Sequence, residues 1–388
     1  MKILQVIPYF IPAYGYGGPV KVCFDVSREL VKNGHQVTVA TTDTLDEKNR
    51  IARLSEEIDD IKIIRFRNIS NKLAKKCNGY LPVGFYFWVR KNICRFDVVY
   101  CHDFFTLQNI IIAHFCKKYN VPFVVQPHGT LSLTRQKARF EIIKKVFIKL
   151  FRGVLNNSKN IIALTENEKK EISSIDKNFK HKIKIIPNGL KTEEFENIEK
   201  VNLYEKYNIP QKNKIIGYIG RLQFIKGIDL SLEILAQLKN KLKFTYLIIG
   251  PDEGERKNLE IQIEKLDLGS NVIFAGILTG KEKLETIHSC DLFLFTSRNE
   301  GFPLTVLEVA ALGVPQIISK NCNVPEIERY MAGFEIDLEE KNKFLNKILE
   351  ILNSPDLREN FSINSRKLIR QYFNLQNTSN LLEDCIKK

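Results

Sequence analysis

The sequence predicts an α/β protein built from two doubly wound, Rossmann-like domains. Three observations carry this expectation. Short apolar runs alternate with amphipathic stretches along nearly the whole chain, the pattern of parallel strands buried on both faces and covered by helices. The alternation occurs twice, with a polar stretch between the two series. The length, 388 residues, suits two domains of ordinary size.

The elements can be justified in order. Residues 2–9 (KILQVIPY) read as a buried strand, and 19–33 as a helix with Val20, Phe24, Val26, Leu30 and Val31 largely on one face. Gly34 ends that helix, and 36–41 (QVTVAT) is the next strand, so the chain starts with a β-α-β unit. Further apolar runs follow at 61–65, 97–101, 122–126, 160–164 and 184–186. After Pro187-Asn188-Gly189 comes a polar stretch to about 210, and then the second series. Its strands are expected at 214–219, 244–249, 272–274, 292–295 and 316–318, with helices at 226–239, 254–266, 281–289, 303–312 and 340–353. The expected division is 1–195 and 196–371, with a final helix over about 372–388 returning to the first domain.

Charge divides along the same line. Lys and Arg number 59 against 45 Asp and Glu, a formal charge of +14. Residues 1–200 hold 34 basic and 20 acidic side chains, and 201–388 hold 25 of each. The whole excess therefore lies in the first half, which points to an anionic partner there. The longest charge-free run, 3–20, is broken by prolines and glycines and reads neither as a membrane span nor as a signal peptide. The eight cysteines form no C-x-x-C pair, so a zinc site or disulfide scaffold is not expected. They read as reduced thiols of a cytoplasmic protein.

Three segments carry chemistry. The loop Ala13-Tyr-Gly-Tyr-Gly-Gly-Pro19 lies between the first strand and first helix. Glycines let backbone approach a ligand, and a helix N-terminus offers free amides to an anion. A dinucleotide fingerprint needs G-x-G-x-x-G, but here Val20 takes the third glycine's place. Asp43, after the second strand, could still serve as a ribose-binding acid, and a plain turn is the alternative. In the second half, Gly220-Arg221-Leu-Gln-Phe-Ile-Lys226-Gly227 follows a strand. Arg221 and Lys226 there suit a diphosphate, one by its planar fork and one as a point charge; two solvated surface cations are the alternative. Last, Ser297-Arg-Asn-Glu300-Gly-Phe-Pro-Leu-Thr-Val-Leu-Glu308 opens a helix at about Pro303, a favoured first helical position. The amides of Gly301, Phe302, Leu304 and Thr305 would face phosphate oxygens, and Glu300 and Glu308 could accept hydrogen bonds from sugar hydroxyls. Acids near a helix start also suit the macrodipole without any ligand.

Taken together, these motifs resemble the retaining glycosyltransferase family 4, also called glycosyl transferases group 1, with the GT-B fold. The residues that carry the resemblance are Gly17-Gly18, His128-Gly129, Pro187-Asn188-Gly189, Gly220-Arg221…Lys226-Gly227 and the E-x7-E pair Glu300…Glu308, with Pro325-Glu326 a weaker match. Asn323 stands where the family often has glycine. The resemblance implies two Rossmann-like domains facing across a cleft, the second binding a UDP-, GDP- or ADP-sugar and the first its acceptor. It implies that Arg221 and Lys226 hold the donor diphosphate, Glu308 the ribose and Glu300 the transferred sugar. Backbone at Gly276, Ile277 and Leu278 would hold the base, with Gly17 and Gly18 and the segment Gly301, Phe302, Pro303, Leu304, Thr305 completing the donor site. His128 would lie at the reaction centre, with His102, in Cys101-His-Asp103, as a second acceptor-side candidate. A core histidine is the alternative reading of His128. No D-x-D pair occurs, so transfer without a metal or other cofactor is expected.

The basic half has one further feature. Residues 139–155 read as an amphipathic helix with Ile143, Val146, Phe147, Leu150, Phe151 and Val154 on one face and Arg139, Lys144, Lys145, Lys149 and Arg152 flanking it. Residues 80–88 are aromatic, and 62–76 carry six cations. Together they suggest contact with an anionic membrane surface, against an ordinary helix with its apolar face in the core. The expected function is a cytoplasmic glycosyltransferase, peripheral on the inner face of the cytoplasmic membrane if this helix binds lipid. It would act on a saccharide or lipid-linked acceptor in polysaccharide or lipopolysaccharide synthesis. Rival readings are a synthase acting on a soluble glucan, and a nucleotide- or nucleic-acid-binding protein. The latter has no use for both glutamates and both cations, and no nucleic-acid partner is expected.

Overall fold

The computed structural model describes residues 1–131 and 141–387, with backbone alone at 75–77 and 141–147. The chain divides into two compact units. One comprises Met1–Gly189 with Leu375–Lys388, the other Leu190–Asn374. The division falls a few residues before the expected 195, and the return to the first unit falls at 375 rather than 372.

Among the described residues the first unit holds eight strands: β1 (Lys2–Val6), β2 (Gln36–Thr42), β3 (Ser55–Ile58), β4 (Ile61–Phe66), β5 (Val98–His102), β6 (Phe123–Gln126), β7 (Asn160–Ala163) and β8 (Ile183–Ile185). Their order is β3-β4-β2-β1-β5-β6-β7-β8. All neighbours are parallel except β3 and β4, which form an antiparallel hairpin. Sequence reading misses β3, because its turn, Asp59-Asp60, lacks glycine. Both aspartates nonetheless adopt positive φ, 52° and 60°, which a two-residue hairpin turn requires and Asp tolerates. The central strands are fully buried, and β5 and β6 expose none of their residues. The helix Gly18–Lys32 follows β1, and Gly34 beyond its end has φ 81°. The helix Leu375–Lys387 packs on the helix Gly18–Lys32, with Asn33 and His35 both reaching Glu383.

The second unit holds β9 (Lys214–Ile219), β10 (Phe244–Ile249), β11 (Val272–Gly276), β12 (Leu292–Phe295), β13 (Gln316–Ser319) and β14 (Gly333–Ile336), ordered β11-β10-β9-β12-β13-β14. Every pairing is parallel. The bounds of β9, β10 and β12 agree with the sequence reading, because their uninterrupted apolar runs end at glycine or polar residues. The edge strand β14, Gly-Phe-Glu-Ile, has no uninterrupted apolar run and does not stand out by pattern. In each sheet the strand order reverses beside the first strand of the unit, β1 or β9. Ligands of doubly wound sheets bind at the carboxyl ends of such strands.

The basic segments of the first unit are partly consumed by the fold. Ile148, Phe151, Val154 and Leu155 on the helix Glu141–Asn157 are buried, but Leu150, expected on the same face, is 68% exposed. The expectations for Arg139, Ile143, Lys144, Lys145, Val146 and Phe147 lie outside the described side chains. Arg152 pairs with Asp176. Arg65, one of the six cations of 62–76, is buried and bonds the Ile11 carbonyl at 2.8 Å and Glu56 at 2.5 Å, so it faces no partner outside. The aromatic run splits as well. Tyr80 and Phe85 enter the core, whereas Tyr86 and Phe87 stay exposed.

Candidate active site

In the second unit the motif residues gather at the carboxyl ends of β9 and β12. Arg221 lies two residues beyond β9, and Lys226 ends a single 3-10 turn, Phe224–Lys226. Gly227 follows with φ 66°, and a Cβ there would sit 1.9 Å from the Thr296 carbonyl oxygen. This glycine is therefore set by close approach of the β9 loop to the end of β12. Gly250, after β10, meets the Gly220 carbonyl just as closely, at 1.9 Å. Backbone bonds from the Gly220 amide to Ile249 and from the Gly250 amide to Gly276 tie the ends of β9, β10 and β11 together.

Lys226 Nζ donates to Glu300 Oε1 at 2.6 Å, and Ser297 Oγ donates to the same oxygen at 2.9 Å. The loop carrying Glu300 is held by the Asn323 amide, which donates to the Glu300 carbonyl at 2.6 Å. Asn323 has φ 58°. It occupies a left-handed position that suits glycine or asparagine, which explains why asparagine is acceptable there. Glu308, on the helix Leu304–Ala311, is buried and takes two bonds from Lys283 Nζ, at 2.9 and 3.0 Å. Arg221 Nη1 faces both oxygens of Glu253 at 3.3 Å. Three cations thus each carry a carboxylate before any ligand arrives. Arg298 clamps the turn before Lys226: it bonds both oxygens of Asp229, at 2.7 and 2.5 Å, and stacks 3.9 Å from the Phe224 ring centroid.

Pro303 does not open the helix. Its ψ of 114° is extended, and the helix begins at Leu304. The first amides of that helix lack intrahelical acceptors, as at any helix start. Gly301, Leu304 and Thr305 are half-buried beside them, whereas Phe302 is buried against Phe373, a packing residue. Gly276 (φ 75°) ends β11, and Ile277 and Leu278 follow it, with Ile277 67% exposed.

In the first unit, Gly17 has φ 97° and Gly18 is the first residue of its helix. Tyr16 in the same loop stacks on Tyr9, 4.4 Å between centroids, and both rings contact Tyr80. Asp43 is not a ribose acid. It is buried and accepts from Arg50 at 2.9 and 3.0 Å and from the Asn68 amide at 2.9 Å, so its oxygens hold the following loops together.

His102 ends β5, and His128 follows β6 in Pro127-His-Gly-Thr130, a tight turn closed by the Thr130 amide on Pro127. His128 and Gly129 both have positive φ, 54° and 73°. A non-glycine residue held there costs on the order of 1–3 kcal/mol, and such strain clusters at functional sites. The two rings are parallel within 11°, and His102 Nδ1 lies 3.0 Å from His128 Nε2. Burial pushes the His128 pKa down to about 3, and burial with the neighbouring ring also lowers His102, so both are neutral near pH 7. Glu168 fixes the turn from below, accepting from the Gly129 amide at 2.6 Å and the Leu164 amide at 2.7 Å. Sequence reading misses Glu168, Lys283 and Glu253. For Glu168 a signal exists: Thr165-x-x-Glu168 is a capping-box pattern, and Thr165 does cap the helix Glu166–Ile175. The charge partners of Lys283 and Glu253 leave no local signal.

Two parallel, doubly wound units, each with its conspicuous residues at the strand ends beside the order reversal, define a GT-B glycosyltransferase. The comparisons agree. The model of Glycosyltransferase Family 4 matches residues 16–194, and that of Glycosyl transferases group 1 matches 200–368. The chain belongs to the group 1, family 4 type of glycosyltransferases. It is 24% identical to an uncharacterized glycosyltransferase, MJ1607, of Methanocaldococcus jannaschii, over 97% of this chain and 95% of that one. It is 35% identical to the O-antigen biosynthesis glycosyltransferase WclY of Escherichia coli, over 36% of this chain and 37% of that one. Among solved structures it superposes on Anabaena Alr3699/HepE in complex with UDP and glucose with a TM-score of 0.77, 19% identity, and 100% and 99% of the two chains covered.

Proposed function

We propose that this enzyme transfers a sugar from a nucleotide-diphosphate donor to a saccharide or lipid-linked acceptor, with retention and without a metal, in the synthesis of a cell-surface polysaccharide or lipopolysaccharide. One observation carries the donor reading. Arg221, Lys226, Glu300 and the first amides of the helix Leu304–Ala311 converge on the strand ends beside the order reversal of the second sheet. A departing diphosphate needs fixed positive charge and oriented amides, and these groups supply both. The ion pairs keep the two cations in place until the diphosphate competes for them. Glu300 then turns to the transferred sugar, Glu308 to the ribose, and the Gly276–Ile277–Leu278 segment to the base. The UDP named with the Anabaena structure favours a UDP-sugar among the UDP-, GDP- and ADP-linked candidates.

The acceptor belongs to the first unit, at His128 and His102, while the Gly17-Gly18 loop completes the donor phosphate site. A lipid-linked acceptor is favoured by what that unit leaves exposed. The helices Phe85–Asn92, Leu107–Tyr119 and Glu141–Asn157 pack side by side. They expose Phe87 (71%), Tyr86, Tyr119 and Leu150 among Arg90, Lys91, Lys117, Lys118 and Lys149. Aromatic and aliphatic tips among cations suit an anionic bilayer surface. No helix among the described residues is long and apolar enough to cross a membrane. Thermal shift and hydrolysis against a panel of UDP-, GDP- and ADP-sugars tests the donor reading. Stabilisation by one nucleotide class, abolished in Arg221→Ala and Lys226→Ala, is expected. No response to any of them, or an unchanged response in both variants, overturns it.

A further inference from the structure

A chain of hydrogen bonds with a readable direction runs into His128 from the interior of the first unit. It starts on the helix Gly18–Lys32. Ser27 Oγ lies 2.6 Å from the Cys23 carbonyl, which can only accept, so the Ser27 proton goes there. Ser27 then accepts from Gln5 Nε2 at 2.8 Å. That orients the Gln5 amide, and the Cys23 thiol, donating to Gln5 Oε1 at 3.1 Å, agrees with the orientation. Gln5 Oε1 therefore faces His102 Nε2, 2.7 Å away, as an acceptor, and Nε2 must carry the His102 proton. A neutral His102 then has a bare Nδ1. Its neighbour at 3.0 Å, His128 Nε2, must be the donor.

We infer that Gln5 and His102 are positioning residues that hold His128 in the tautomer protonated at Nε2, which leaves its Nδ1 as an acceptor for a hydroxyl of the sugar or of the acceptor. This inference rests on the proposed place of His128 at the reaction centre. Gln5, Ser27 and His102 are all buried and reach a substrate only through His128. The fold supplies the order of the relay. Gln5 is in β1, His102 ends the adjacent β5 and His128 follows the next strand, β6, so three neighbouring strands each contribute one member. A neutral ring with a fixed lone pair can orient a hydroxyl proton. The opposite tautomer would present an N–H and repel it.

Nitrogen-15 NMR of the histidine-labelled full-length enzyme at neutral pH reads the tautomers directly, with His128→Ala and His102→Leu assigning the signals. Both rings are expected as neutral Nε2–H forms. In His102→Leu the His128 Nε2–H loses its acceptor, and a population protonated at Nδ1 is expected, with kcat tenfold or more lower and the donor KM unchanged. In His102→Gln the side-chain amide can donate to Gln5 and its carbonyl accept from His128, so the Nε2–H form and a rate within about threefold of the parent are expected to return. A parent spectrum with His128 protonated at Nδ1, or a His128 tautomer indifferent to His102→Leu, overturns the relay. The expected tautomers together with normal turnover in His128→Ala support the relay and overturn the placement of His128 at the reaction centre.

Discussion

Replacing Lys226 by alanine separates the two roles that the structure gives it. Its ammonium lies 2.6 Å from Glu300, with side-chain exposures of 16% and 11%. Removing one member of a buried pair costs about 3–5 kcal/mol, because the other charge is left uncompensated. Here some solvent reaches both groups and Ser297 still donates to Glu300, so about 2–3 kcal/mol is expected. For a unit of this size each kcal/mol lowers Tm by about 2–4 °C, which gives a loss of roughly 5–10 °C. Turnover should fall about 100- to 1000-fold, the usual effect of losing one preorganised charge-stabilising donor. The double variant Lys226→Ala/Glu300→Gln removes the stranded carboxylate. It should recover most of the Tm and none of the turnover. Differential scanning fluorimetry without donor and initial rates at saturating donor give the two readings. If the double variant regains activity with its stability, Lys226 serves the fold alone and the diphosphate assignment fails. If the single variant melts with the parent, the pair contributes nothing to the free enzyme.

Other outcomes follow from the same geometry. Gly227→Ala places a methyl 1.9 Å from the Thr296 carbonyl oxygen, so the second unit should lose its cooperative melt; a parent-like melting curve would contradict the close approach. His128 is neutral when folded, with its pKa pushed down to about 3, and protonates when unfolded, so its contribution to stability is complete above about pH 6.5 and is lost as pH falls towards 3, by about 1.4 kcal/mol per unit; His102, also lowered by burial, acts in the same direction. Urea midpoints from pH 7 to 4 should therefore fall, and less steeply in His128→Phe. Turnover should survive EDTA without added Mn²⁺ or Mg²⁺; loss on chelation and return with either ion would refute metal-free transfer. Phe87→Ser with Leu150→Ser should weaken binding to anionic vesicles at low salt about tenfold with Tm unchanged, and equal binding would remove these helices from the membrane face.

Most of the architecture was legible because apolar periodicity is local. β9, β10 and β12 could be bounded from their own residues, since each is buried on both faces. The β3–β4 hairpin was not, because two aspartates took a turn usually marked by glycine. The motif residues of the second unit were legible as types, two cations and two glutamates, and the strand ends they follow were legible too.

What each side chain does with its charge was decided only by tertiary structure. Asp43 looked like a ribose acid after a strand, yet Arg50 and the Asn68 amide consume it. Arg65 looked like one of a row of surface cations, yet it is buried on backbone carbonyls and Glu56. Lys283 and Glu308 are 25 residues apart, and Gln5 and His102 are 97 apart. The sequence by itself determined two doubly wound units and the glycosyltransferase motifs, because strand burial and loop glycines leave marks within a few residues. Which partner neutralises a buried group, and in which direction its proton points, depends on atoms brought together by sheet order, and no stretch of sequence holds both.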